Sequence, residues 1–239
     1  MDLTAFQPVQ FRAAVFTPGL RQFSAAHVVG TLLGKLSQFS GDPVVLPIPK
    51  EAPAEIPRII LRGPAQGLEL HTALARSDVY LSVTPGITLT AEGAFKEAVP
   101  ILEQVLDVLQ VRPGRLAALG TYASKCEEPA RLLAEHFCKA EWAQGPLASA
   151  EALELHAHRR FTLLEGLLVN SWMRWKTGQV NEPGRSYPAV ILERDVNTLP
   201  EEAEERVFGQ EELSAFFDRA SQLLEEEVKS FSAGGNAHE

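Results

Sequence analysis

The sequence predicts an α+β protein in which two pseudo-repeated β-α-β-β-β-α units form one broad, mostly antiparallel sheet with helices on one face. Three observations predict it. Short runs of β-branched and aromatic residues alternate with longer runs of three- and four-residue periodicity. The order of these runs over residues 1–111 recurs over 112–231, as pattern without residue identity. The strand-like runs alternate apolar and polar side chains, as in antiparallel strands with one face covered.

Val9 to Thr17 reads as a strand that stops at Pro18-Gly19. Leu20 to Phe39 changes period, with Phe23, Ala26, Gly30, Leu33 and Leu36 marking one helical face. Residues 41–57 carry five prolines, Pro43, Pro47, Pro49, Pro53 and Pro57, and must be extended, irregular backbone. Three strands follow, Arg58 to Arg62, Gly67 to Leu74 and Asp78 to Thr84, with turns expected at Gly63-Pro64 and at Arg76-Ser77-Asp78. Thr90 caps a helix from Ala91 to Val111, which Pro100 should kink or divide.

In the second unit, Arg115 to Ala123 reads as a strand and Glu128 to Lys139 as a helix. Glu151 to Thr162 and Leu163 to Trp175 read as two strands, or one ribbon bent at Gly166. Lys176 to Pro188 holds Gly178, Asn181, Pro183 and Gly184 and is expected as a loop, before a strand from Ala189 to Val196. Gln210 to Phe231 closes the unit as an amphipathic helix, and 232–239 is expected as a flexible tail. The two units are expected to share one globular body.

Composition limits the function classes. The 239 residues are 45% hydrophobic and 22% charged, which suits a packed core and excludes a largely disordered chain. The formal net charge is −9, and residues 198–239 carry 11 acids against 3 bases, so the body of the protein is near neutral. That balance disfavours a nucleic-acid or membrane-surface role, both of which use clustered Lys and Arg. No apolar run reaches the ~18 residues of a membrane span, the N-terminus lacks a signal-peptide pattern, and a cytoplasmic location is expected. The two cysteines, Cys126 and Cys138, have no CxxC spacing and read as small apolar residues.

The dinucleotide, P-loop, zincin and α/β-hydrolase motifs are missing. No cofactor and no catalytic residues are assigned. The most unusual segment is His156-Ala157-His158-Arg159-Arg160. On a strand His156 and His158 share a face about 6.6 Å apart, a spacing two ligands of one metal could use. Such a site needs a third ligand, for which His71, Glu154 and Asp195 are the candidates; without it no metal is assigned. Arg159, Arg160, Arg174 and Lys176, interleaved with Trp172 and Trp175, form the densest basic group, suited to docking an acidic peptide or stacking on a base. The alternative is cross-strand packing, with Arg stems on Trp faces and pairs to Glu154 or Glu165. Asn170, in an apolar strand, is expected to bridge structural elements. Glu201 to Glu205 and Glu225 to Glu227 read as solvated faces.

In element order each unit is similar to the half-repeat of TATA-binding-protein-like saddle folds, which carries no function by itself. The strand-helix start, Ile56-Pro57-Arg58-Ile59-Ile60-Leu61, Gly67-Leu68-Glu69-Leu70, the Arg115-to-Tyr122 strand and the closing Leu192-Glu193-Arg194-Asp195-Val196-Asn197-Thr198 resemble a sporadically distributed bacterial family of uncharacterised proteins. That family has no assigned activity, and its patchy distribution implies an accessory role such as defence or immunity. The expectation is a non-catalytic protein-interaction module, an accessory or adaptor subunit that binds a protein partner or its own copy through His156, His158, Arg159, Arg160, Trp172, Arg174 and Trp175. The alternatives are a small-molecule sensor with a pocket between the halves, lined by Trp172, Trp175, Asn170 and Glu165, and a nucleic-acid-binding component of a complex.

Overall fold

A computed structural model describes residues 6–49, 51–63, 67–84, 88–182 and 184–233. Nine strands, β1 (Gln7–Phe16), β2 (Val44–Val45), β3 (Ile59–Arg62), β4 (Leu68–Thr72), β5 (Arg76–Ser82), β6 (Arg115–Lys125), β7 (Glu154–Leu164), β8 (Leu167–Glu182) and β9 (Arg185–Thr198), form one sheet in the order β2-β3-β4-β5-β1-β6-β9-β8-β7. Every neighbouring pair is antiparallel. Outward from the central β1–β6 pair the order is 5-4-3-2 on one side and 9-8-7 on the other.

The helices α1 (Ala25–Lys35), α2 (Ala91–Leu109), α3 (Pro129–Phe137), α4 (Ala140–Ala143) and α5 (Gln210–Ala233) lie on one side of this sheet. Alternation selects which residues meet them. Phe11, Ala13 and Val15 of β1, Val79 and Leu81 of β5, Leu116 and Ala118 of β6, and Val190, Leu192 and Val196 of β9 are all buried on that side. Phe11 meets Phe95 of α2 edge-on with ring centroids 6.1 Å apart, and Phe95 meets Phe217 of α5 at 5.4 Å. The core therefore runs from sheet to α2 to α5 without a break between the halves.

Several boundaries differ from the sequence reading, each for a local reason. The first helix spans only 25–35, because the Ser24 side chain accepts from the His27 amide and fixes its start. The polar triplet Arg76-Ser77-Asp78 opens β5 rather than turning, and the turn falls at 73–75, where the Ala73 amide donates to the Arg76 carbonyl. Pro100 does not divide α2: it lies on the exposed side with Lys96, whose carbonyl lacks an amide donor from position 100 and can accept from water instead. The segments around Gly166 form a hairpin of two strands, and Gly166 adopts φ +69°, the left-handed conformation such a turn requires.

The expected loop 176–188 is strand on both sides of a tight turn at 183–184, with Gly184 at φ +80°. Gly178 sits inside β8, where an added Cβ would lie 2.6 Å from Cγ1 of Ile191 on β9. It is a packing glycine rather than a loop glycine. The prolines of 41–57 surround the two-residue strand β2, as their backbone limits require. The last helix reaches Ala233, so the expected tail from 234 onward lies outside the described residues, as do Pro64, Pro183 and the Phe231 side chain. Cys126 and Cys138 are free, half-buried thiols. No helix among the described residues is long and apolar enough to cross a membrane.

Candidate functional site on the helix-free face

The opposite pleat carries the polar side chains. Register lays them out in rows. One row runs Glu69, Tyr80, Arg12, Leu119, Asp195, Trp172, His158 from β4 to β7. The next runs His71, Asp78, Ala14, Ala117, Asn197, Asn170, Arg160. Ala14 and Ala117, at the middle of the face, are buried under the longer side chains around them.

On the β4–β5–β1 side, Asp78 is buried and holds two guanidiniums. Arg12 lies 2.5 Å from its Oδ1, and the Nε of Arg76 is 3.1 Å from its Oδ2. Glu69 accepts from Arg62 at 3.0 Å and is 2.8 Å from Nε2 of His71. Burial raises the Glu69 carboxyl, but the hydrogen bonds from His71 and Arg62 outweigh it and leave the group below its ordinary value. Tyr80 is pushed up by burial and by the neighbouring Asp78.

On the β9–β8–β7 side the organising residue is Asn170, buried in β8. Its Oδ1 accepts from Nε of Arg160 and lies against Nε2 of His158, both at 2.9 Å. Its amide donates to Oδ1 of Asn197 at 3.4 Å, and that oxygen also takes Arg115 at 3.0 Å. Asn197 donates in turn to Asp195 at 2.8 Å. The His158 ring stacks on Trp172 with centroids 4.1 Å apart and planes 21° from parallel. Arg174 lies 5.1 Å from the Trp172 centroid and 3.8 Å from Asp195. Arg160 reaches Glu201 at 2.9 Å, and Lys176 reaches Glu193 at 2.7 Å. Burial pulls the Arg115 guanidinium down, while nearby Asp195 and Glu201 favour its charge.

Five of the seven sequence-derived site residues, His156, His158, Arg160, Trp172 and Arg174, share this face. His156 stands 3.5 Å from Glu154. Arg159 and Trp175 point to the helix side: Arg159 lies over Phe161, and Trp175 is buried against Phe137 of α3 at 4.8 Å. The Arg-on-Trp packing is present in Arg174, but its carboxylate partners come from β9 and the turn after it rather than from Glu154 or Glu165. The sequence reading missed Arg12, Asp78, Arg115 and Asn197. The signal was available in Glu193, Asp195 and Asn197, whose period-two spacing marks one polar face of a strand.

Among the described residues no three His, Cys, Asp or Glu gather as metal ligands, and neither His71 nor Asp195 joins the His156–His158 pair. A groove of about 730 Å³ lies elsewhere, between the end of α2 and the start of α5. Phe208 and Leu213 line its floor, and Glu103, Asp107, Glu211 and Glu212 its rim. Burial, then Asp107, pushes the Glu103 carboxyl up.

No known family model matches the sequence, and no curated protein matches it. Two solved structures are distantly similar. The di-domain ARO/CYC BexL from the BE-7585A biosynthetic pathway aligns at 12% identity and a TM-score of 0.23, covering 76% of this chain and 75% of that one. The di-domain ARO/CYC StfQ from the steffimycin biosynthetic pathway aligns at 12% identity and a TM-score of 0.23, covering 95% of both chains. At that distance neither likeness bears on fold or activity.

Proposed function

We propose that the chain is a non-catalytic protein-interaction module, an accessory or adaptor subunit that docks a protein partner on the β7–β8–β9 part of its helix-free face. The observation that supports this reading most is the Asn170 network. It fixes His158, Arg160, Asn197 and Arg115 in one plane of the sheet, beside a Trp172 ring braced by His158 and Arg174. Fixed side chains of this kind lose little conformational freedom on docking, and Trp and Arg are the residues that carry most interface energy.

The test is a photo-cross-linking residue placed at Leu168, exposed on the helix-free face of β8, and at Glu97, exposed on α2. In cells of the native source, position 168 is expected to give one discrete protein adduct and position 97 none. Matching adducts at both positions, or none at 168, overturn the reading. A small-molecule binding role is the second reading, and the groove between α2 and α5 favours it, since its volume suits a small ligand. Its lining shares none of Asn170, Glu165, Trp172 or Trp175.

A further inference from the structure

The two edges of the sheet differ in kind. One ends in the two-residue strand β2, flanked by Pro43 and Pro47, which remove amide donors and blunt the edge against pairing. The other ends in β7, eleven residues long, whose inner side pairs with β8 from Glu154 to Leu164 and whose outer side pairs with no strand among the described residues. Residues 156–160 of this strand are exposed. They carry His156, His158, Arg159 and Arg160, with Glu154 as the acid on the strand. Pleating sends His156, His158 and Arg160 to the helix-free face and Arg159 to the other.

We propose that β7 takes a tenth strand, an extended acidic segment of a partner protein, by strand addition at this edge. The inference rests on the interaction reading above and names where and with what chemistry the partner binds. Main-chain hydrogen bonds to the outer side of β7 supply a sequence-independent part of such binding, and side chains at alternate positions supply the choice of partner. A strand added ~4.8 Å away places its alternate residues opposite His156, His158 and Arg160. Asp or Glu opposite Arg160 makes a cross-strand pair of opposite charge, and opposite His156 and His158 it sets a carboxylate beside an imidazole. A second copy of β7 paired antiparallel about Ala157 would set His156 opposite His158 and offer only Glu154 to Arg160, whereas an alternating acidic segment presents a carboxylate to all three.

The test uses the full chain and three fluorescent twelve-residue peptides: one alternating Glu with Val and Thr, the same peptide with Lys for Glu, and the Glu peptide N-methylated at every second amide. Binding is read by anisotropy, and amide exchange is followed by mass spectrometry. The Glu peptide is expected to bind saturably and to slow exchange in 154–164. Binding should fall at least tenfold with the Lys peptide, with the N-methylated peptide, and in His156→Glu, which sets a carboxylate against the peptide's own. Should that variant fold poorly, His156→Gln, which removes the imidazole without adding a charge, is expected to show a smaller loss. Unchanged exchange in β7 at saturating Glu peptide, or equal binding of the Lys peptide, overturns the proposal. The two failures are read separately: cross-linking at 168 reports whether a protein docks at all, and amide exchange reports whether it docks on β7.

Discussion

Asn170 shows how one side chain organises a surface. Its oxygen serves two donors and its amide a third partner, so truncation takes the acceptor from His158 and Arg160 and leaves Asn197 Oδ1 with Arg115 alone. Asn170→Ala is expected to cost about 1–3 kcal/mol in denaturant unfolding. Asn170→Asp, which keeps the acceptors for His158 and Arg160 but loses the donor to Asn197, should fall between the two. Equal stability of Asn170→Ala and the native chain would show that the network is not formed. Glu69 supplies the pH dependence of the other side of the face. Its carboxyl is held below its ordinary value of 4.5 in the fold, so the stabilisation it contributes is present above that pH and is lost as pH falls through the lowered value. Glu69→Gln should remove part of that acid-side loss, by less than about 1 kcal/mol for so exposed a group, as read from unfolding curves between pH 5 and 3.

At the scale of elements, the sequence was most legible where periodicity and capping agreed. The strand before Pro18, the helix after Thr90 and the alternating strand at Leu68–Thr72 stand close to where they were predicted. It was least legible where polar or turn-forming residues lie inside strands. Ser77 and Asp78 look like a turn, yet they are buried in β5, where Arg12 of β1 and Arg76 of β5 itself satisfy Asp78. Gly178 looks like a loop, yet it is the space that Ile191 fills. Gly178→Val should therefore cost about 1–3 kcal/mol by overpacking against β9, measured by chemical denaturation. A loop residue at that position would tolerate the change within about 0.5 kcal/mol. Pro100 makes the converse point in α2. It breaks one hydrogen bond on the exposed side of a helix whose inner side is held by Phe95, Ile101, Leu102 and Val105. Pro100→Ala is expected to raise stability by about 1–2 kcal/mol, and a fall in melting temperature would contradict that account. The candidate surface was half legible: the His156–Arg160 strand and Trp172 could be read from composition, whereas the contributions of β1, β5, β6 and β9 arise only when register brings distant strands side by side.

The whole molecule separates its charge. The acidic excess of residues 198–239 sits largely in α5, on the helix side of the sheet, while Glu201 before it meets Arg160 on the helix-free face. The helix-free face gathers Arg12, Arg76, Arg115, Arg160, Arg174 and Lys176 around Glu69, Asp78, Glu193 and Asp195. Against a net charge of −9 this face is close to balanced, with Glu154 and Glu201 joining those carboxylates, and its long open strand edge carries Arg159 and Arg160 against Glu154. The central claim is that a partner protein completes this molecule. Native mass spectrometry of the untagged protein, purified gently from its own source, tests it most directly. The account expects the chain to carry the added mass of a second, different protein; the bare chain, or the chain with only a few hundred daltons of small ligand, would contradict it.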